Sequence, residues 1–242
     1  MVIRKLINFF YLLLRDLNLL RKTDSDYFNR GFKFSLCNNY FVNERVVEKP
    51  YVTRRILELD NDSLVLDFGC VESSLAIELA SLGYKVTGVD FRQYSFDHPN
   101  LKFIQGNLLN VDAEVKFDFV VALSVIEHIG LGAYGEESRV KDFNAVLKKF
   151  SEITKSGGKL FISVPVGKPI RDNFLRSFSP QEARSLMQKH DFTLSEEKYF
   201  LRHEFKYWFP STGEEVEIIS NAAEDRGLTG VNAVGCFIWQ KE

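Results

Sequence analysis

Residues 64–79, LVLDFGCVESSLAIEL, decide the fold. The stretch Ser63 to Asp67 is a short apolar run of the kind that forms a strand buried on both faces. Gly69 then opens a turn, and Ser73 to Leu82 carries Leu75, Ala76, Leu79, Ala80 and Leu82 on one helical face before Gly83 stops it. Working outward, the pattern predicts a helix at about 51–59, strands over 85–90, 101–104 and 117–123, and a helix over 142–154 ended by Ser156-Gly157-Gly158. A strand over 159–164, a helix over 181–190 and closing strands over 193–201 and 232–240 complete it. Strands alternating with helices predict an α/β, Rossmann-like doubly wound fold: a mostly parallel seven-stranded sheet with helices on both faces.

Composition narrows the class. A chain of 242 residues, 45% hydrophobic and 26% charged, can bury one sizeable core, which excludes a disordered or fibrous protein. The formal charge of −2 supplies no long-range field to gather nucleic acid, so no nucleic-acid partner is expected. Cys37, Cys70 and Cys236 are too few and too scattered for a disulfide framework, which suits a reducing, cytoplasmic location.

Two regions are distinguished. Residues 1–50 comprise an amphipathic N-terminal helix and an irregular lead-in ending at Pro50; residues 51–242 form the main domain. In Met1–Leu20, Ile3, Ile7, Phe10, Leu14 and Leu17 recur at helical spacing, but Arg4, Lys5, Arg15 and Asp16 break the run too early for a membrane span. No small-residue cleavage site follows, so a secretory signal is not expected. The helix is expected to pack on its own domain or in a homodimer, or to lie on an anionic membrane surface, such as the inner face of the cell membrane.

Open parallel sheets bind ligands at the carboxyl ends of their strands. Those ends carry Asp67, Gly69 and Cys70, then Asp90-Phe91, then Asn107-Leu108, then Ser124 with Glu127-His128. An acid at the end of the second strand, Asp90, is placed to accept the hydroxyl hydrogens of an adenosine ribose. A dinucleotide would need glycines to wrap pyrophosphate, yet Val71 and Ser73 occupy those places. Asp67 and Glu72 would repel phosphate and tolerate a cation, which favours S-adenosylmethionine, a sulfonium donor without phosphate.

Residues 64–79, GVDF at 88–91, FDFVVALSVIEHIG at 117–130 and SGGKLFISVP at 156–165 resemble the motifs of class I S-adenosylmethionine-dependent methyltransferases. HPNLKFIQGN (98–107), IEHIGLGAYGEE (126–137) and SVPVGKP with RSFSP (163–180) are similar to a bacterial subgroup thought to act on sugars or surface polysaccharide. The resemblance implies cofactor contacts at Asp67, Gly69, Cys70, Asp90, Phe91, Asn107, Leu108 and Ser124, and a carbohydrate acceptor. Asn107 stands where an acid commonly reads adenine, and its amide oxygen can still accept a hydrogen bond there.

His128 is the candidate general base, with Glu127 beside it, because deprotonating an acceptor hydroxyl needs a group that titrates near neutrality. Tyr134 and Glu136, in a glycine-rich loop, and Arg176 are candidate acceptor contacts. Cys70 has no basic neighbour in sequence and reads as packing more than as a nucleophile. Two other readings compete. One is a non-catalytic module that docks through residues 1–20. The other is a metal-assisted RNA 2′-O-methyltransferase, suggested by VIEH but lacking a carboxylate at Ser124.

Overall fold

The structure, a computed structural model, describes residues 43–131, 143–171, 174–203, 207–222 and 232–242. The sheet and its helices form one compact unit, Glu44–Arg202 with Trp208–Glu242; a second unit, Met1–Asn43 with His203–Tyr207, falls almost wholly outside the described residues. The expected N-terminal helix and the glycine-rich loop bearing Tyr134 and Glu136 are likewise outside them. No described helix is long and apolar enough to cross a membrane.

In chain order the elements are α1 (Arg45–Ile56), β1 (Leu64–Phe68), α2 (Leu75–Ser81), β2 (Lys85–Asp90), β3 (Leu101–Gln105), β4 (Phe117–Leu123) and α3 (Phe143–Ile153). Then follow β5 (Thr154–Pro165), α4 (Pro180–Ser185), β6 (Phe192–His203), β7 (Tyr207–Ser211), α5 (Gly213–Ala222) and β8 (Ala233–Lys241). They build a sheet ordered β3-β2-β1-β4-β5-β8-β6-β7. β1 to β5 run parallel, and β8 is antiparallel to both β5 and β6. The Rossmann-like α/β class is therefore as expected, with one strand more than the seven predicted. The addition, β7, is a short outer-edge strand containing Pro210, whose missing N–H is tolerated only at an edge.

Burial explains the layering. Alternate residues of the central strands face opposite ways: Leu66, Val120, Ala122, Ile162 and Trp239 join one core with Val146, Phe150 and Ile153 of α3. Val65, Phe119, Val121, Phe161 and Ile238 join the other with Val52 and Ile56 of α1 and Leu75, Ala76 and Leu79 of α2. A doubly wound sheet needs this two-sided burial.

Several boundaries differ from expectation: β5 begins at Thr154 and takes in Ser156-Gly157-Gly158, α4 ends at Ser185, and two others bear on the site. α1 begins at Arg45, ahead of Pro50, which lies inside the helix. The backbone bond that proline removes is outweighed by burying Val52 and Ile56 and by the Arg45–Glu48 pair on the same helix. α2 begins at Leu75 because the chain first makes a 3-10 turn, Cys70–Glu72, with Ser73 extended after it.

Candidate functional site

Order along the sheet reverses between β1 and β4, and the carboxyl ends of β1, β2, β3 and β4 open there into a cleft of about 650 Å³. Among its walls are Phe68 and Gly69 after β1, Asp90, Phe91 and Arg92 after β2, Asn107 after β3, Ser124, Val125, His128 and Ile129 after β4, and Arg45 of α1. The floor turn is fixed by Gly69. Its φ of 77° is in the left-handed region, its N–H donates to the Val89 carbonyl at 2.8 Å, and an added Cβ would stand 2.3 Å from Val125 Cγ2.

Asp90 is 5% exposed, and both its oxygens are already used. Oδ2 accepts from the Val71 N–H at 3.0 Å and Arg92 Nη2 at 3.1 Å; Oδ1 accepts from the Arg92 N–H at 3.0 Å and Arg92 Nε at 3.1 Å. Arg92 Nη1 reaches on to Glu72 at 2.6 Å. The sequence analysis does not single out Arg92.

Asn107 lines the cleft as the cap of the 3-10 turn Leu108–Asn110, and its Oδ1 accepts the Leu109 N–H at 3.0 Å. The backbone thereby fixes the amide's orientation and takes one lone pair of the oxygen expected to read adenine. Phe91 is 41% exposed on the cleft wall. Of the expected contacts, the Leu108 and Cys70 side chains are fully buried in core clusters, which leaves their backbone as the part that can meet a ligand. Burial and the nearby carboxylates of Asp67 and Asp90 also push the Cys70 thiol far up, which removes it as a nucleophile.

Beneath the β1 and β4 ends lies a buried ionic cluster that sequence reading missed. Arg45 Nη1 donates to Glu48 Oε2 and to the Leu123 carbonyl, both at 2.9 Å, and Ser124 Oγ donates to Glu48 Oε1 at 2.5 Å. Ser124 itself has a left-handed φ of 48° and donates its N–H to Ser163 Oγ at 2.9 Å. Holding a non-glycine residue there costs energy that the two hydroxyl bonds offset.

Two carboxyls remain without a hydrogen bond of normal geometry. Asp67 is 1% exposed and neither oxygen has such a partner; burial raises its pKa to about 7, against the opposing pull of Arg45, the Ala76 amide and the Ser73 hydroxyl. Glu127 is buried with Oε2 orphaned, and burial pushes its carboxyl well above the usual range. A buried acid with an unsatisfied oxygen carries a desolvation cost that a cationic partner would offset.

His128 lies beside them. Its Nδ1 is 2.6 Å from the Phe174 carbonyl, which can only accept, so Nδ1 carries the proton and Nε2 the lone pair. Burial lowers the His128 pKa below its usual 6.5, against the pull of that carbonyl, and the ring stands edge-on to Phe174 with centroids 4.9 Å apart. Nε2 is 3.9 Å from Glu127 Oε1, beyond hydrogen-bonding distance. Arg176 does not line the cleft. Its Nη2 donates to the Ile129 carbonyl, its N–H donates to the Glu127 carbonyl at 3.0 Å, and its guanidinium lies 4.4 Å over the Phe143 ring, so it braces the turn that carries His128.

The charge pattern is subtler than a purely acidic pocket. Arg45 and Arg92 balance Glu72 and Asp90 on the walls, while Asp67 and Glu127 are buried and are not among the wall residues. Such a site suits a ligand with both cationic and anionic groups. Among the described residues no three His, Cys, Asp or Glu side chains converge as metal ligands.

Residues 44–216 match the model of a methyltransferase-domain family. The chain is 24% identical over 129 residues to the ubiquinone biosynthesis O-methyltransferase of Rickettsia akari, covering 48% of this chain and 50% of that protein. It is 27% identical over 210 residues to the demethylmenaquinone methyltransferase of Corynebacterium glutamicum, covering 81% and 83%. The chain spans about half the length of the Rickettsia relatives it matches. Among solved structures it resembles the Burkholderia thailandensis 1,6-didemethyltoxoflavin-N1-methyltransferase with bound S-adenosylhomocysteine (TM-score 0.55, 15% identity, 82% of this chain, 79% of that one). It also resembles the Synechocystis magnesium protoporphyrin IX methyltransferase with bound S-adenosylmethionine (TM-score 0.53, 16% identity, 90% and 94%). At these identities the likeness is one of fold.

Proposed function

The chain belongs to the class I S-adenosylmethionine-dependent methyltransferases, and on that premise we propose that it moves the donor's methyl group to an acceptor hydroxyl on an aromatic ring. When bound, S-adenosylmethionine supplies an electrophilic methyl on a sulfonium. The residues present fit it. Asp90 is the acid for the ribose, Phe91 and Asn107 bound the adenine end, and Gly69 admits the ligand against the backbone. The orphaned Asp67 carboxyl suits the ammonium, and Arg45, at the β4 end of the cleft, suits the carboxylate.

The observation that carries the acceptor chemistry is the His128–Phe174 bond at 2.6 Å. It places the proton on Nδ1 and so leaves Nε2 as the proton acceptor, while burial favours the neutral ring. As the new carbon–oxygen bond forms, the hydroxyl proton passes to Nε2, and the charge lost from the sulfonium is balanced by the imidazolium. Glu127 is a positioning residue here: its side chain is buried, its carboxyl pushed well above the usual range by that burial, and its carbonyl accepts the Arg176 N–H, which holds the turn carrying His128.

An aromatic hydroxyl is supported on two grounds. Val125, Ile129 and Phe91 make the cleft walls largely apolar, and a phenolic hydroxyl titrates near 10, within reach of imidazole. Of the relatives reported above, one is named a ubiquinone biosynthesis O-methyltransferase and another a demethylmenaquinone methyltransferase. A sugar hydroxyl, the acceptor that the motif resemblance implied, is the competing class. Calorimetry with S-adenosylhomocysteine, followed by transfer of labelled methyl to a panel of hydroquinones, catechols and sugars, tests the reading. No heat with the homocysteine product would overturn the donor site, and label on sugars alone would overturn the aromatic acceptor.

A further inference from the structure

The carboxylate of Asp90 accepts four N–H donors, two on each oxygen, which fills the acceptor capacity of the group. Two of these donors are backbone amides, of Val71 in the 3-10 turn and of Arg92 just past β2, and they are fixed by the fold. The other two, Nε and Nη2, belong to the Arg92 side chain, which can move. From these contacts we propose that Arg92 is a latch on the donor site: its guanidinium holds Asp90 in place of the two ribose hydroxyls and must exchange with them one for one. The proposal rests on the reading of Asp90 as the ribose acid.

The geometry supplies a resting place for the displaced side chain. Nη1 is already bonded to Glu72 at 2.6 Å, so the guanidinium can rotate off Asp90 without giving up its ion pair. Glu72 and Arg92 are 43% and 38% exposed, whereas Asp90 is 5% exposed, so the swing is toward solvent and leaves the acid in its socket. Asp90 never loses its charge compensation altogether, because both backbone amides stay. The exchange is therefore between two hydrogen bonds from Arg92 in which both partners are charged and two from the ribose hydroxyls in which only the carboxylate is, and the latch lowers donor affinity below what the socket alone would give. It also discriminates: a ligand that lacks ribose hydroxyls cannot displace the guanidinium with bonds of its own.

The test is a comparison of Arg92→Met with the native protein by calorimetry, using S-adenosylhomocysteine, 5′-methylthioadenosine and the 2′,3′-dideoxy analogue of the latter. Both hydroxylated ligands should bind about 5- to 20-fold more tightly to Arg92→Met, while the dideoxy analogue gains less than about 2-fold. Glu72→Gln, which removes the resting place, should weaken S-adenosylhomocysteine binding in the native background and have no effect once Arg92 is Met. Equal or weaker binding of S-adenosylhomocysteine to Arg92→Met overturns the latch, as does an equal gain for the dideoxy analogue. Should Arg92→Met not fold, Arg92→Lys, which can hold only one Asp90 oxygen, should show a smaller gain in the same direction. A native protein that binds none of the ligands would instead remove the ribose reading itself, so the two failures are distinguishable.

Discussion

Gly69 and Val125 are interlocked: a Cβ on Gly69 would stand 2.3 Å from Val125 Cγ2 and 3.2 Å from Val125 Cβ. The β1 turn and the β4 exit thus define each other's position, and the donor's path runs over their junction. Gly69→Ala meets two separate penalties, the left-handed φ of 77° and the overlap with valine. Together these are expected to cost about 2–4 kcal/mol. Trimming the neighbour, in Gly69→Ala with Val125→Ala, should recover the steric part and leave the backbone part. Urea unfolding of the four proteins checks this; strictly additive losses would contradict the interlock.

His128→Asn is expected to lower turnover about 10²- to 10⁴-fold while S-adenosylhomocysteine affinity stays within about 3-fold. The pH profile carries its own sign. Catalysis needs Nε2 unprotonated, and burial lowers the His128 pKa, so the rate should be on its plateau at pH 7 and fall only as pH drops below 6.5. A limb centred above 6.5 in the native enzyme, or unchanged turnover in the variant, would remove His128 from the reaction.

How much of this the sequence disclosed follows from which residues obey a period. β2 and β4 were legible to the residue, since Lys85–Asp90 and Phe117–Leu123 are apolar runs bounded by polar turns. β7 was not, because Tyr207, Phe209 and Pro210 leave an exposed edge strand without alternation. Topology singled out the strand ends, and Gly69, Asp90, Phe91, Asn107, Ser124 and His128 from those ends do line the cleft, whereas Arg45, Glu48 and Arg92 were missed because no motif marks them. One signal did exist. Glu48, Val52 and Ile56 recur every four residues on α1, so a carboxylate sat on the stripe that the apolar residues bury. Cys70 and Leu108 stand next to the strand ends in sequence, yet their side chains turn into the core, a direction that spacing alone does not give.

Asp67 links stability to ligand binding. Its carboxyl ionises at 3.8 in an unfolded chain but holds its proton to about 7 in the fold. Between those values the folded state binds more protons, so this group's contribution is present below 3.8, declines as pH rises and is gone above about 7. Asp67→Asn should therefore raise stability at pH 8, on the order of 2 kcal/mol, or a few degrees in Tm. The same change should weaken S-adenosylmethionine. In the native protein that affinity should tighten from pH 6 to pH 8 as the carboxylate ionises, and in Asp67→Asn the pH dependence should flatten. Loss of stability in the variant at pH 8, or a native affinity indifferent to pH, would show that Asp67 is satisfied by the fold and not by the ligand.

Arg45 faces a sharper test, because ligands can be cut where it is expected to bind. On the proposed reading adenine lies toward β3, ribose at β2 and the amino-acid end at β1 and β4, where Arg45 bonds the Leu123 carbonyl. S-adenosylhomocysteine has a carboxylate at that end, and 5′-methylthioadenosine has none. Arg45→Met should bind the first about 10- to 100-fold more weakly, the value of a charge-assisted pair, and the second within about 3-fold of native. Arg45→Lys, which keeps the charge but loses the fork, should fall between for the first ligand alone. The cluster complicates the methionine variant, since Glu48 would lose its partner while still buried, and a lower Tm is expected with it. That loss of stability affects both ligands alike, so it cannot imitate the selective one. An equal drop for both would assign Arg45 to holding α1 on the sheet through Glu48, and no drop for either would place the carboxylate elsewhere in the cleft.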